Sequence, residues 1–568
     1  MRVTWESIRS WMLTLVGAAA VGTAALPAMS AEKTPAPKPD GREIFVREWI
    51  AKDPRSHGGD GLGPVFNDSS CVACHNQGGV GGAGPASKNV TLATAFSNIQ
   101  VQQQIQMQQQ PDVVGELVRG LFGLPPLDEP GLAPLPERNP KEIAEANKKL
   151  AKLQREKLVK FHPAFSQGRS IVIHHFGVSS GYEKWRAAAS MGGGQQVFQT
   201  FAAPVQALEV AQVEADQVGP APPLSAPGEP GGDQAAQSNA EMARVQIMQT
   251  AQLGSAHLQT QLINVTPQGD IVLAQSQRNT SALFGIGLLD RIPEKAILAQ
   301  AEAKHAGFPE ITGRAARLKN GKIGRFGWKA QEASLRDFVL TACAVEVGLQ
   351  VDGREQGLDP VKPGPKAAGE DLNAEEVDTL VSYIRDLPNP SQRLGTSDIE
   401  RDLLKSGREH FAKIGCVACH AGEIGDVKGA YTDLLLHDMG QEMADSGFYG
   451  GTLPNSPDDD GQDQPLPSLV QNGLQPGIAG AAPAEEKVDP KTVGALRREW
   501  RTPPLWGVRD SSPYMHDGRA ATLEQAIAFH GGEASNVTRN YFRLAPEKRQ
   551  AVVAFLKSLT APEAGAKE

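Results

Sequence analysis

Cys71-Val72-Ala73-Cys74-His75 and Cys416-Val417-Ala418-Cys419-His420 are two copies of one five-residue string, and they hold four of the five cysteines in a chain of 568 residues. Two thiols separated by two residues and followed at once by an imidazole read as a c-type haem attachment site. The spacing has a chemical reason. Both thiols add to the two vinyl groups of one haem from a single tight turn, and the next residue, His75 or His420, then faces the iron as proximal ligand. The competing readings are a redox dithiol and a zinc site. A redox pair has no use for the adjacent histidine, and no βαβ pattern surrounds either copy. A zinc site would have to bring together strings 345 residues apart. The shared Val-Ala filler points to an internal duplication.

Composition narrows the field around these strings. Gly (60) and Pro (41) exceed average use without reaching low-complexity levels, so the chain is globular and rich in turns. Five cysteines are too few for a disulfide scaffold. A net charge of −9 leaves no basic field for nucleic acid, and few aromatics are available for base stacking. At the start, Arg2 and Arg9 flank an apolar run from Trp11 to Leu26, and Ala28-Met29-Ser30-Ala31 offers small residues for cleavage. This predicts a signal peptide over 1–31 and a periplasmic protein. The apolar run is short for a spanning helix, so a membrane contact follows only if the signal stays uncleaved. In that oxidising compartment the odd cysteine, Cys343, is expected to be buried and inert.

The duplication extends beyond the haem strings. Gly41-Arg42-Glu43-Ile44-Phe45 precedes the first and Gly407-Arg408-Glu409-His410-Phe411 the second, each opening a helix with an aromatic toward the haem. Val381-Ser382-Tyr383-Ile384 matches Val553-Ala554-Phe555-Leu556 in amphipathic closing helices. Between them, the block Arg278 to Gly285 echoes Arg501 to Gly507, and Trp328 to Leu335 runs parallel to His516 to Leu523. Trp328 and His516 are thereby equivalent. The first half is longer, and its excess holds a Gln-rich run (98–110), a charged helix (about 140–160) and a Pro/Ala/Gln tract (about 203–240). A loose segment at about 453–490 follows later. These tracts lack the apolar period of a core, and the charged helix reads as a solvated face. His174-His175, after the apolar Ile171-Val172-Ile173, reads as a strand or buried loop, with a haem contact as the alternative.

With these stretches the chain resembles the bacterial di-haem cytochrome c peroxidase superfamily, and within it the branch of di-haem oxidoreductases. The likeness is carried by Gly61–Asn67, Arg278–Pro293, Gly324–Ala330, Tyr431–Gly440 and Arg501–Ala534 together with both haem strings. The resemblance implies two haems of different character. The C-terminal haem passes electrons, and its sixth ligand lies fourteen residues after the histidine of His516-Asp517-Gly518, which is His530; Met515, Met439 and His437 are the other candidates. A His ligand in place of the usual Met would lower that haem's potential. The N-terminal haem is the reactive one, with Glu346 as the nearest counterpart of the family's acid–base glutamate, two residues short of the usual offset. Trp328 stands where the family has a tryptophan between the haems. No histidine follows His75 until His162, so this haem is either five-coordinate or bound by a distant residue. A calcium ion between the domains is also implied, with carbonyls of Ser511 and Pro513 as candidate ligands.

The resulting expectation is a mainly α chain with two cytochrome c-like haem domains in tandem, 32–395 and 396–568, and long loop-rich insertions in the first at about 90–270. Two covalently bound c-type haems are held by Cys71, Cys74, His75, Cys416, Cys419 and His420, with iron ligated by His75, His420 and His530. Glu346 and Trp328 are the catalytic candidates. The expected reaction is peroxide reduction at the N-terminal haem, fed through the C-terminal haem by a soluble cytochrome c or cupredoxin. The alternatives are a di-haem oxidase or oxygenase acting on another substrate, and a non-catalytic di-haem electron-transfer protein.

Overall fold

The computed structural model describes residues 40–97, 155–191, 232–254, 261–264, 271–364, 367–445, 447 and 491–563. The expected signal peptide, the Gln-rich run and the 453–490 segment lie outside these residues.

The chain is helix-rich with small sheets, and one arrangement of helices occurs twice. Gly41–Val46, capped by the Asp40 carboxylate, packs across the closing helix Ala374–Arg385, which starts in an Asn373/Glu376 capping box. Asp398–Lys413, capped by Ser397, packs in the same way across Pro546–Ser558. Both crossings are made at a glycine. A Cβ on Gly41 would run into Thr379 O and Tyr383 Cβ, and one on Gly407 into Ala551 O and Phe555 Cβ. Without side chains there, the helices approach until their aromatics interlock. Phe45 and Tyr383 have ring centroids 5.5 Å apart at 55°, and Phe411 and Phe555 5.4 Å apart at 57°. The repeated sequence motifs therefore fold into repeated contacts. Two hydrophobic cores form around them, one holding Ile44, Phe45, Leu335, Val339 and Ile384, the other Phe411, Leu523, Phe529, Val552 and Phe555.

The hairpins that carry Trp328 and His516 are also equivalent. A bridge joins Phe326 to Glu332 in one and Tyr514 to Ala520 in the other. Each leads to a capping side chain, Ser334 or Thr522, and then to a helix, Leu335–Ala342 or Leu523–Ala528. Each hairpin bonds the other repeat: Asn279 N donates to His516 O at 2.7 Å, and Arg501 N to Trp328 O at 3.0 Å. Gly285 and Gly507, both in the left-handed region, start the next helical turn in each half. They align Asn279, not Arg278, with Arg501, so the sequence alignment of this block shifts by one residue.

The excess in the first half is less loop-rich than its composition suggests. It builds a four-stranded antiparallel sheet in the order β3-β2-β6-β5. Here β2 is Val90–Ser97, β3 Ser170–Ile173, β5 Gln261–Asn264 and β6 Ile271–Arg278, and β2 pairs with β6 along its whole length. Alternation puts Ala93, Ala95, Ile171, Ile173, Ile271 and Leu273 on one face. The end of the charged helix is not a solvated face: Leu158 is buried against this core, with Val159 and Phe161 beside it. Similarly, the Pro/Ala/Gln tract runs into a helix, Gly232–Gly254, whose Ala240, Met248 and Ala251 are buried in the second core. A short ribbon pairs β1 (Val65–Phe66) with β4 (Phe176–Gly177), tying the sheet region to the first haem string. Among the described residues no helix is long and apolar enough to cross a membrane.

Candidate haem-binding site

Cys71–Cys74 forms one helical turn and Cys416–Ala418 a tighter one, so both thiols of each string leave the chain on one side. The histidine after each turn is fixed by its outer nitrogen. His75 Nδ1 donates to Gly82 O at 3.1 Å, and His420 Nδ1 to Tyr431 O at 3.0 Å. A phenylalanine of the opening helix sits beside each ring. Phe45 lies 6.4 Å from His75 at 48°, and Phe411 lies 6.4 Å from His420 at 49°. Burial pushes the pKa of both imidazoles down to about 4, so each is neutral with a lone pair on Nε2. This is how a metal-ligating histidine is usually prepared.

Each string lines its own cavity. Cys416, Cys419 and His420 face one of about 270 Å³, and Cys71, Cys74 and His75 one of about 150 Å³. The two strings therefore cannot share one thiolate cluster. Burial pushes the thiols of Cys71, Cys74 and Cys416 up to about 12, opposite in direction to the lowered value of a reactive redox thiol. All five cysteines are free of disulfides, and Cys343 is buried at 3% exposure.

Opposite His420 stands His530. The two ring centroids are 6.4 Å apart. Two imidazoles that ligate one metal from opposite sides, each nitrogen about 2 Å from it, place their centroids about 6 Å apart. His530 Nδ1 donates to Ala526 O at 2.7 Å, which again leaves Nε2 toward the cavity, and burial lowers its pKa. Of the other candidates, Met439 and Met515 line the same cavity. His437 lines it too, but both its nitrogens are taken, Nε2 by Asp433 and Nδ1 by Glu533, each at 2.8 Å. It has no lone pair to offer.

The first cavity is different. Equivalent positions 188 residues apart line the two: Phe338 with Ala526, Val339 with Ile527, Ala342 with His530 and Glu346 with Ala534. Where the second cavity has an imidazole, the first has a methyl group. Among the described residues that line the first cavity, His75 is the one histidine and there is no methionine. Glu346 is half-buried on a π-helical turn, Cys343–Val347, that extends the helix past Ala342. His174 and His175 do not reach the cavity; His174 Nε2 donates to Val345 O at 2.9 Å.

Trp328 lines both cavities, and its indole donates to Asn279 O at 2.9 Å. Its counterpart His516 stacks on Trp500 at 3.7 Å and 16°. Two buried basic side chains face the cavities with carbonyls as their hydrogen-bond partners. Arg501 donates to Gly327 O and Thr502 O, and burial pushes its pKa down to about 10. Lys329 donates to the carbonyls of Leu496, Arg497 and Glu499. Burial disfavours the charged form of both groups, and the propionates of a haem would favour it. Sequence reading missed Trp500, Lys329 and the vacancy at Ala342. The last was available by carrying the Trp328/His516 register fourteen residues further. Ser511 and Pro513 line the larger cavity. Among the described residues the one cluster of His, Cys and carboxylate groups close enough to share a cation is Cys419, Asp433 and His437, remote in sequence from that pair.

Two cavities with a common wall, each presenting two thiols and a lone-pair imidazole, offer the donor set that a di-haem c-type protein needs. Residues 486–559 match a family described as "Di-haem oxidoreductase, putative peroxidase". The chain is similar to members of the di-haem cytochrome c peroxidase superfamily. Over 185 residues it is 26% identical to hydrazine synthase subunit gamma of Kuenenia stuttgartiensis, covering 31% of this chain and 48% of that one. Over 193 residues it is 28% identical to the cytochrome-c peroxidase IdrP2 of Denitromonas iodatirespirans, covering 33% and 47%. Over 157 residues it is 27% identical to the methylamine utilization protein MauG of Methylorubrum extorquens, covering 27% and 33%. The matches thus span half or less of these relatives' lengths.

Proposed function

We propose that this chain is a periplasmic di-haem oxidoreductase that reduces a peroxide at the haem held by His75, with electrons supplied through the haem held by His420 and His530. Cys71 and Cys74 attach one haem covalently, and Cys416 and Cys419 the other. Residues 1–31 direct export, 32–395 and 396–568 form the two haem domains, and a calcium ion at Ser511 and Pro513 braces the seam between them. The observation that carries the reading is the exchange of His530 for Ala342 at equivalent positions. His420 and His530 would together hold one haem, while at the other His75 would be the one imidazole among the described lining residues, leaving room for a substrate oxygen.

Haem iron, when bound, supplies the electron changes and the coordination position for peroxide. The chain's residues supply the rest. Glu346 accepts the proton from one peroxide oxygen and delivers it to the other, so that the leaving group departs neutral. Two electrons and two protons convert the peroxide into one alcohol and one water, or two waters for hydrogen peroxide. A soluble cytochrome c or a cupredoxin donates the electrons, and Trp328 lies on their route between the two cavities. The test is the ferric spectrum with a turnover assay. One high-spin and one low-spin haem, with peroxide consumed at the expense of reduced cytochrome c, are expected. A wholly low-spin protein that binds neither cyanide nor peroxide would overturn the proposal.

A further inference from the structure

The π-helical turn that carries Glu346 is held from outside the helix. Its widened geometry leaves Glu346 O to accept from Asn67 N at 2.7 Å. Asn67, 2% exposed, also donates from its side-chain Nδ2 to Glu346 Oε2 at 2.6 Å. The orientation of that amide is fixed independently. Asn67 Oδ1 accepts from His175 N at 3.0 Å, so Nδ2 is the end that meets the carboxylate. The sheet region reinforces the turn at the preceding residue. His174 Nε2 donates to Val345 O, Tyr182 OH donates to His174 O at 2.8 Å, and Val345 packs on Val90, Leu92 and Val172. The inserted segment is therefore built against the back of this turn.

We propose that Asn67 is a positioning residue that holds the Glu346 carboxylate at the edge of the His75 cavity in its ionised form. This rests on the reading of Glu346 as the acid–base group. A short amide-to-carboxylate bond strengthens when the acceptor is charged and so favours the carboxylate. Glu346 accordingly meets its substrate as a base. The other charged and titratable groups around it are Asp68 with its partner Lys88, Cys74, His174, His175 and, lining the same cavity, Arg278 and Lys329. His174 does not change charge in the working range, because burial pushes its pKa down to about 4.

The test uses the full-length holoprotein and cyanide, which must lose its proton to bind ferric haem. The association rate at the His75 haem is followed against pH. In the wild type the rate falls in acid as Glu346 is protonated, and Glu346→Gln removes this limb. Asn67→Ala is expected to move the limb up by about one pH unit, the worth of one hydrogen bond to a charged group. Asn67→Asp keeps the volume and the bond from His175 but sets a second carboxylate against the first, so it should move the limb further. It also serves if the alanine variant fails to fold. A limb that survives Glu346→Gln overturns the acid–base reading of Glu346 and this proposal with it. A limb lost in Glu346→Gln but unmoved in both Asn67 variants overturns the positioning role alone.

Discussion

Ala342 stands in the first repeat where His530 stands in the second, each eight residues after the side chain, Ser334 or Thr522, that caps its helix. The two positions line equivalent walls of their cavities, and one presents a methyl group where the other presents an imidazole. Restoring the imidazole should remove the difference. Ala342→His is expected to convert the high-spin ferric signal to low spin, block cyanide at that haem and reduce peroxide turnover to background. A variant that retains its high-spin signal and its turnover would show that the two walls are not equivalent toward the haem.

The reverse change concerns His530. Its Nδ1 is held by Ala526 O, so its Nε2 is aimed without loss of side-chain freedom on binding. His530→Ala should turn one haem from low to high spin while the other is unaffected. His530→Met should keep the low-spin state and raise that haem's potential, since a thioether stabilises ferrous iron relative to an imidazole. Redox titration of the C-terminal haem reads the shift, and an unchanged potential in His530→Met would assign the sixth ligand to another residue.

How much of this could be read beforehand depended on how local each signal is. The haem strings, the Gly-x-x-x-Phe openings and the closing helices are compact motifs whose contacts repeat within one structural unit, and they stand out in the sequence. The sheet does not. Val90–Ser97 pairs with Ile271–Arg278 across most of the excess length, and no local pattern specifies a partner so far away. The helix Gly232–Gly254 was hidden for another reason: it buries Ala240, Met248 and Ala251 in a run dominated by Ala and Gln, which gives a weak apolar period. The short offset of Glu346 coincides with the π-helical turn, a feature set by tertiary contacts from Asn67 and His174.

The helix crossings give a prediction about stability. Gly407 has no room for a methyl group because the Ala551 carbonyl and Phe555 Cβ occupy its place. Gly407→Ala must force the opening and closing helices apart and loosen Phe411 against His420. A loss of about 1–3 kcal/mol is expected, as for overpacked cores, and the same holds for Gly41→Ala. Gly307, with open space around its Cβ direction, is the control, and Gly307→Ala should stay within about 0.5 kcal/mol. Denaturant unfolding followed by far-UV circular dichroism measures the difference; equal effects at Gly407 and Gly307 would contradict the close crossing.

Arg278 and Asp445 form a buried pair at 2.6 Å, with side chains 6% and 3% exposed, and Arg278 also lies 5.1 Å from the centre of the Trp500 ring. Burial alone would raise the pKa of Asp445, but Arg278 and His516 outweigh it and hold the carboxyl well below the ordinary range. A depressed acid contributes stability above its unfolded pKa of about 3.9, and that contribution is lost as pH falls through the folded value. Arg278→Met leaves Asp445 buried beside a methyl thioether and should cost about 3–5 kcal/mol at pH 7. Without the guanidinium, burial becomes the dominant influence and the carboxyl takes up a proton more readily. The deficit relative to the wild type should therefore narrow as pH is lowered from 7 toward 4. Adding Asp445→Asn should recover most of it at pH 7, because the stranded charge is gone. Denaturant melts of the three proteins at both pH values measure these differences, and a deficit that is the same at pH 7 and pH 4 would show that the cost comes from lost packing on Trp500 and not from the unpartnered charge.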